Sequence, residues 1–179
     1  MDECINKLVI CSKKPKKRAK TLCTVFRKLF LPNTTYKLKD KNVSVRRYKS
    51  LGEDLKMSHF IITADNYIKI GQRPNGPTFT FSIEEFEEKM KIFSNAIYST
   101  DPLITITGES KYNDFFTNLS HPNNTPERNI NFHFENDFIQ IRHYKIETVE
   151  EENIKVGLTE IGPRLTLRIK KIEEDFFPI

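Results

Sequence analysis

The 179-residue sequence contains only three cysteines, Cys4, Cys11 and Cys23, and none of them forms a CxxC pair. This odd number and spacing argue against a disulfide or zinc framework, so we expect buried thiols in a reducing compartment. No apolar run reaches the about 18 residues that a membrane-spanning helix needs. The N-terminus has no apolar stretch of the signal-peptide type. The sequence therefore predicts neither a membrane protein nor a secreted one.

Recognised catalytic and cofactor motifs are also absent. The sequence has no GxxxxGK[ST] or GxGxxG phosphate-binding loop, and no serine lies in a nucleophile elbow. The four histidines lack metal-ligand spacing. His133 and His143 fall in opposite strands of a predicted hairpin and are candidates to meet, although strand histidines more often pack than bind zinc. We expect a protein that is not an enzyme and that uses no metal, cofactor or small-molecule substrate.

Charge is abundant and unevenly distributed. Residues 1–50 hold 15 Lys/Arg against 3 Asp/Glu, a net +12, whereas residues 51–179 hold 14 against 21, a net −7. Segregation of this size indicates an anionic partner for the first segment, with a solvated basic face as the other interpretation. The candidate RNA contacts are Lys13, Lys14, Lys16, Lys17, Arg18, Lys20, Arg27, Lys28, Lys37, Lys39, Lys41, Arg46, Arg47, Arg164 and Arg168.

The last predicted strand carries Arg164 and Arg168 on the face opposite its leucines. A row of cations there suits a phosphate backbone, and it suits equally an exposed sheet edge that resists aggregation. Three aromatic strand residues, Tyr67, Phe138 and Tyr144, are candidates for stacking on unpaired bases, although aromatic strand residues mostly belong to the core.

A motif that occurs twice organises the fold prediction. Residues 76–83 (GPTFTFSI) return as residues 162–169 (GPRLTLRI), 86 residues later, and each copy is a tight turn that leads into a strand with alternating faces. Residues 67–70 (YIKI) correspond to residues 138–141 (FIQI). Each half also opens with a short apolar run, at residues 8–11 and 103–106. Three matches in the same order indicate two copies of one supersecondary unit.

Local patterns predict the remaining elements. The period of residues 17–31 is helical, and the apolar stripe comprises Ala19, Leu22, Cys23, Phe26, Leu29 and Phe30. Ser82 and Glu85 form a capping box that predicts a helix over residues 83–96. The other predicted helices cover residues 44–56 and 109–119. The predicted strands cover residues 6–12, 58–63, 67–72, 78–83, 103–107, 129–134, 138–147 and 164–172. The acidic insertion around residues 150–152 is predicted to be a loop, and the whole pattern indicates an α/β (α+β) fold.

Four segments resemble Brix-domain proteins, a family of ribosome-assembly factors. They are residues 58–62 (SHFII), 74–81 (PNGPTFTF), 141–144 (IRHY) and 158–167 (LTEIGPRLTL), and the Gly-Pro-Arg of the last is the most specific mark. Within the family the strings are most similar to the Peter Pan/Ssf branch, which acts on the large (60S) subunit, and residues 36–39 (YKLK) fit that branch. The resemblance covers residues 7–173.

The resemblance implies one Brix domain over residues 1–179, with similar lobes at 1–96 and 97–179. Each lobe would resemble the anticodon-binding domain of class IIa aminoacyl-tRNA synthetases. It also implies nuclear, nucleolar localisation, precursor rRNA as ligand, no membrane, and other ribosome assembly factors as partners, including a small helical protein. The family's long insertion before the final strand is reduced here to a short acidic loop, so contacts made through it do not carry over.

Several alternatives stay open at the level of sequence. The chain can be a small-subunit Brix factor, a protein–protein scaffold in pre-ribosomes with little RNA affinity, or a detached anticodon-binding module that serves a synthetase. The basic block at residues 13–20 can be an import signal, an RNA contact or both. Arg164 can clamp an RNA phosphate or pair with Glu160. We expect the pairing, because an arginine next to a turn often fixes its own loop.

Overall fold

The computed structural model of the protein describes residues 6–34, 45–88, 95–121, 123–150 and 154–178. It is a mixed α and β structure in which strands predominate, as the sequence predicts. The helices are α1 (Lys17–Leu29), α2 (Val45–Asp54) and α3 (Asn113–Thr117), with a short 3-10 helix at Asn95–Tyr98. The strands are β1 (Asn6–Cys11), β2 (Met57–Thr63), β3 (Tyr67–Gln72), β4 (Thr78–Glu87), β5 (Leu103–Gly108), β6 (Arg128–Glu135), β7 (Phe138–Glu150), β8 (Ile154–Glu160) and β9 (Arg164–Glu173).

The chain divides into two compact units. The first comprises Met1–Ser82 and Ile169–Ile179, and the second comprises Ile83–Arg168, so that β4 and β9 each contribute residues to both. The lobes expected from the resemblance, residues 1–96 and 97–179, stay a prediction. Within the described ranges, no helix has the length and apolar character needed to cross a membrane.

Both units use the same order of strand pairing. In the first unit β1 pairs parallel with β2, β2 antiparallel with β3, and β3 antiparallel with β4. In the second unit β5 pairs parallel with β6, β6 antiparallel with β7, and β7 antiparallel with β9. The additional strand β8 pairs antiparallel with β7.

The register of the β3–β4 pair is the same as that of the β7–β9 pair. Ile70 lies opposite Phe79 in the first unit, and Ile141 lies opposite Leu165 in the second. A slip of one residue would exchange the two faces of a strand, so agreement in register is a demanding test of equivalence. It supports the proposal that the units are copies of one supersecondary unit. The register equates residues 8–11 with residues 105–108, two positions beyond the apolar run at 103–106.

Helix α1 covers one face of the first unit, and its predicted apolar stripe is buried throughout. The thiol of Cys23 contacts the carbonyl oxygen of Val9 on β1 at 3.7 Å. The hydroxyl of Thr63 on β2 donates to the carbonyl oxygen of Ala19 at 3.0 Å. The 3.6-residue period of the sequence therefore identified both the helix and the side of it that packs.

The opposite face of the first unit is covered by the end of the described chain. Leu8, Ile10, Phe60 and Ile62 form one buried cluster with Met57, Phe176 and Phe177. The ring of Phe60 meets those of Phe176 and Phe177 edge-on, with centroids 6.2 Å and 5.3 Å away. Both faces of the β1–β2 pair are therefore covered.

Two glycines let this C-terminal segment approach the sheet. A Cβ atom on Gly71 would lie 2.5 Å from the ring of Phe177. Gly76 has φ +101°, and a Cβ atom there would lie 2.0 Å from the carbonyl oxygen of Glu174. The hydroxyl of Thr78 accepts from the amide of Phe177 at 2.7 Å and donates to the carbonyl of Asp175 at 2.9 Å. The repeated Gly-Pro-x-Φ-Thr motif thus meets the C-terminal segment in the first unit.

The core of the second unit lies on a single face of its strands. The ring of Phe116 on α3 packs against those of Phe132 and Phe134 on β6, each with a centroid separation of 5.1 Å. Ile139 and Leu167 are buried on the same face. Helix α3 follows β5 as α1 follows β1, so the two helices occupy corresponding places in the two units.

The helix predicted over residues 83–96 is wrong at residues 83–88, and its last two residues begin the short 3-10 helix at Asn95–Tyr98. Strand β4 continues through Ile83 to Glu87. The alternation of Phe79, Phe81 and Ile83 extends the strand, and all three side chains are buried. A period of two with buried apolar residues outweighs a local capping pattern, which contributes only about 0.5–2 kcal/mol. Residues 89–94 of this prediction lie outside the described ranges.

The predicted loop before the last strand is also wrong in part, because it contains β8. Val156 and Leu158 of this strand are 63% and 58% exposed, so burial does not distinguish the strand from a loop. Residues 151–153 lie outside the described ranges. The helix predicted over residues 109–119 is shorter than expected and covers Asn113–Thr117.

We predict that Phe177→Ala destabilises the protein by about 3–5 kcal/mol, because it removes a buried ring from the cluster around Phe60. Urea unfolding at equilibrium measures the change. Tyr67→Ala is the matched control, since Tyr67 is 38% exposed and its truncation should cost less than about 1 kcal/mol. Equal losses for the two variants would show that the C-terminal segment does not stabilise the first unit.

Candidate nucleic-acid interface

The basic block lies at the junction between β1 and α1. Its side chains are exposed to solvent, and they belong to the turn and to the first turn of the helix: Lys13, Lys14, Lys16, Lys17, Arg18 and Lys20. The polar side of α1 continues with Lys28, which is half-exposed. The structure therefore brings the first six predicted contacts together at one end of one helix.

Contacts to neighbouring strands fix the backbone of this block. The amide of Ser12 donates to the carbonyl of Thr63 at 2.8 Å. The carboxylate of Asp65 accepts from the amide of Ala19 at 3.3 Å and from the amide of Lys16 at 3.4 Å. A carboxylate at this position satisfies helix N–H groups that have no intrahelical partner. Asp65 thus holds the basic block in place, and the sequence showed it only as an acidic residue in a turn between two strands.

Arg27, a predicted RNA contact, faces β1. Its Nε and Nη2 atoms both donate to the carbonyl oxygen of Val9, at 3.1 Å and 2.8 Å. A guanidinium with two donors directed at one backbone acceptor has a clear role in fixing α1 against β1. We therefore assign a structural role to Arg27, and its contact with RNA stays a prediction.

The remaining predicted contacts of the first 50 residues are not all placed. Lys37, Lys39 and Lys41 lie outside the described residues, as does the side chain of Arg46. Arg47 is exposed on α2.

The arginines of β9 lie on its exposed side, opposite buried Leu165 and Leu167, but each meets a neighbour. Arg164 donates from Nε and Nη2 to the two carboxylate oxygens of Glu160, both at 2.6 Å. These hydrogen bonds and the negative charge of Glu160 raise the pKa of Arg164. The guanidinium of Arg168 lies 5.4 Å from the ring centroid of Phe138. The expected pairing of Arg164 with Glu160 is thus present as a bidentate ion pair.

Beside Arg164 is an open pocket of about 290 Å³, lined by Glu85, Phe86, Glu87, Arg142, Arg164 and Thr166. The hydroxyl of Thr166 donates to the Glu85 carboxylate at 3.1 Å. Two carboxylates in such a small pocket oppose the binding of a phosphate. The pocket does not favour Arg164 as a phosphate clamp.

The turn that carries the Gly-Pro-Arg mark is held from within the second unit. His143 is fully buried, and its Nδ1 lies 2.9 Å from the carbonyl oxygen of Gly162. The ring of Tyr98 lies between His143, at 6.3 Å, and the guanidinium of Arg128, at 4.9 Å. Burial lowers the pKa of Arg128 to about 10, which leaves it charged at neutral pH. These contacts indicate a structural role for the motif.

Two of the histidines, His59 and His143, are buried packing residues, whereas His133 is partly exposed. His143 lies opposite Ile130, and His133 lies opposite Gln140, so the two histidines are not register partners in the β6–β7 hairpin. Burial, followed by the charge of Lys7, lowers the pKa of His59 to about 3 and keeps the imidazole neutral. In the described part of the chain, no three His, Cys, Asp or Glu side chains are grouped to hold a metal ion.

Cys11 and Cys23 are free thiols that contact each other at the start of the basic block. The hydrogen bond from Cys23 lowers the pKa of Cys11 to about 6, and the same contact raises the pKa of Cys23. Cys23 is buried as expected, whereas Cys11 is half-exposed. Cys4 lies outside the described residues.

Comparison with known proteins gives the family. A family model described as the Brix domain matches residues 12–171. The chain belongs to the Brix family. This confirms the family expected from the repeated Gly-Pro motif and from the Leu-Thr-Glu-Ile-Gly-Pro-Arg string.

Curated Brix relatives are similar over most of the chain. A Brix domain-containing protein of Caenorhabditis elegans is 30% identical over 139 residues, which are 69% of this chain and 34% of that protein. The probable ribosome production factor 1 of Drosophila melanogaster is 26% identical over 163 residues, 82% of this chain and 40% of that protein. Ribosome production factor 1 of Saccharomyces cerevisiae is 29% identical over 168 residues, 80% of this chain and 52% of that protein. The chain thus spans between a third and about half of these Brix relatives.

We predict that Arg164→Lys lowers the melting temperature by no more than a few degrees, because lysine keeps the charge but loses the two-point geometry with Glu160. RNA affinity of the folded protein should stay constant. Glu160→Gln removes the same ion pair and should give the same small shift. Reduced affinity with unchanged melting would make Arg164 an RNA contact instead.

We also predict that Cys11 is alkylated by iodoacetamide at a rate that rises with pH around a midpoint below the ordinary cysteine pKa. The thiolate is the reactive form, and the hydrogen bond from Cys23 favours it. Cys23→Ala removes that bond and should move the midpoint upward, toward the ordinary cysteine value. Mass spectrometry of timed alkylation follows each site, and an unchanged midpoint in the variant would contradict the coupling.

Proposed function

We propose that this chain is the Brix domain of a non-enzymatic ribosome assembly factor that binds precursor rRNA. It would hold the RNA in an arrangement competent for assembly, while other surfaces of the domain bind assembly factors. The family assignment supports a role in ribosome assembly, because relatives of the chain carry the name ribosome production factor 1. The expected action on the large subunit and the nucleolar location rest on the resemblance to the Peter Pan/Ssf branch, and they belong to this proposal.

The observation that carries the RNA proposal is the anchored basic block. Six exposed cations share one turn and the first turn of one helix, and Asp65 and Thr63 fix the backbone that presents them. A backbone that is already ordered loses little further conformational entropy when phosphates bind. Phosphate contacts of this kind give affinity without reading sequence. The remainder of the chain is acidic overall, which favours an RNA path limited to this region.

A protein-docking role is the second candidate, and β8 favours it. Val156 and Leu158 are the most exposed of the large apolar side chains in the described ranges, and they alternate on one strand that pairs with β7. Exposed apolar side chains on a strand are a frequent docking surface for a partner strand or helix. We propose that this strand contributes to the binding of an assembly-factor partner, alongside RNA binding by the basic block.

We predict that neutralising Lys13, Lys14, Lys16, Lys17 and Arg18 to glutamine weakens RNA binding and flattens its salt dependence. Removing one phosphate contact should reduce the slope of log affinity against log salt by about 0.7–0.9. A filter-binding titration over a range of salt concentrations measures the slope. An unchanged slope would assign the block to nuclear import alone.

The matched control neutralises five exposed lysines elsewhere, namely Lys56, Lys111, Lys155, Lys170 and Lys171. It changes the net charge by the same amount and should change the slope much less. Competition between tRNA and precursor rRNA distinguishes the assembly factor from a synthetase module. Co-sedimentation with pre-ribosomal particles distinguishes the large subunit from the small one.

A further inference from the structure

The second unit leaves one face of its strands polar. Thr105 and Thr107 on β5, Asn131 and His133 on β6, and Gln140, Arg142 and Tyr144 on β7 form this face, which we call the polar face. All seven side chains are partly or fully exposed. The core of the unit, with Phe132 and Ile141, uses the intervening positions.

Hydrogen bonds align the groups of the polar face. The amide nitrogen of Asn131 donates to the hydroxyl of Thr105 at 3.0 Å, and the hydroxyl of Thr107 donates to the Asn131 oxygen at 3.3 Å. The hydroxyl of Thr107 lies 3.0 Å from Nδ1 of His133. Such mutual contacts hold amide and hydroxyl groups in fixed orientations at an exposed surface.

The equivalent face of the first unit is apolar and covered. By register, Leu8 and Ile10 correspond to Thr105 and Thr107, and Phe60 and Ile62 correspond to Asn131 and His133. The four first-unit residues are between 0% and 6% exposed and pack under Phe176 and Phe177. The same strand path therefore carries core residues in one unit and hydrogen-bonding residues in the other.

The chemistry of the polar face suits unpaired bases. Amides, hydroxyls and an imidazole offer both donors and acceptors to base edges, and none of the seven residues is acidic. The ring of Tyr144 lies at one end of the β7 row, and the ring of Phe138 lies six residues away, or about 20 Å along the strand. Exposed rings at this distance offer stacking positions for bases at the two ends of a short segment.

The surroundings favour a single strand over a duplex. Glu85 and Glu160 border the face, and Glu135 follows at the end of β6. Carboxylates at the border oppose the closely spaced phosphates of a double helix. A single strand can turn its bases to the sheet and its phosphates to solvent. The centre of the face also lacks the apolar core that is typical of protein interfaces.

We propose that the polar face binds the unpaired bases of a single-stranded RNA segment. The proposal rests on the proposed function, since it takes RNA as the ligand. It assigns base recognition to the second unit and phosphate attraction to the basic block of the first. Affinity for single strands should then depend on the uncharged residues of the polar face, and their removal should change the salt dependence little, because uncharged groups release no counterions.

The test measures fluorescence anisotropy with labelled single-stranded RNA of about 12 nucleotides and with a duplex of the same length. Tyr144→Ala should weaken single-strand binding about 5- to 150-fold, the range that corresponds to loss of one stacked base. Tyr144→Phe keeps the ring and should bind as the unchanged protein does. Asn131→Ala/Gln140→Ala should reduce the preference among homopolymer sequences and leave both duplex affinity and the salt slope unaltered.

The matched control is Asn113→Ala/Asn118→Ala, which truncates two exposed polar side chains at the ends of α3, on the core side of the same unit. Thermal melting confirms that each variant is folded. If the unchanged protein binds no RNA, the proposed function fails together with this inference. If RNA binding depends on the basic block but not on Tyr144, Asn131 or Gln140, the inference alone is overturned. Loss of a protein partner in these variants, with RNA binding intact, would also overturn it and make the face a protein surface.

Discussion

The pleat of the β-strand is the constraint on which both units depend. Successive side chains point to opposite faces, so every strand of a unit must supply two surfaces at once. In the first unit both surfaces are buried: α1 covers Val9 and Thr63, and Phe176 and Phe177 cover Leu8 and Phe60. In the second unit only one surface is apolar. The register is shared, so the difference between the units lies in side chains at alternate positions rather than in the path of the backbone.

If the proposed function holds, the two units would divide the work of RNA binding. In the first, the covered sheet acts as a rigid base for the junction of β1 and α1, and the charges stand on a backbone that Asp65 holds. In the second, the strands themselves offer polar groups to solvent. Long-range attraction to phosphates and short-range contact with bases require different surfaces, because a cation is attracted to any phosphate whereas a fixed amide selects a partner by geometry. Two units with the same strand pairing would supply both surfaces without a new fold.

Regular periods made much of this structure predictable from the sequence. The stripe of α1 and the alternating Gly-Pro strands each repeat over many residues, and they indicated the correct element types. The start of the helix predicted after Ser82 was wrong because the prediction followed a four-residue capping pattern. The structure follows the strand alternation, which extends to Ile83. Strand β8 was missed because Val156 and Leu158 are exposed. A short alternation whose apolar side chains are not buried does not identify a strand. The roles of Asp65 and Arg27 depend on contacts 46 and 18 residues apart in sequence, and no local pattern encodes them.

Gly71 determines which of the two units the C-terminal segment can pack against. The ring of Phe177 occupies the space beside Gly71 that a side chain would fill. The register equates Gly71 with Arg142 in the second unit, a residue with a long side chain that bonds to Gln140. A C-terminal segment that paired with the second unit would give a misfolded chain. The C-terminal segment therefore fits against the first unit, where Gly71 leaves space for the Phe177 ring. The side chain of Arg142 occupies the equivalent position of the second unit.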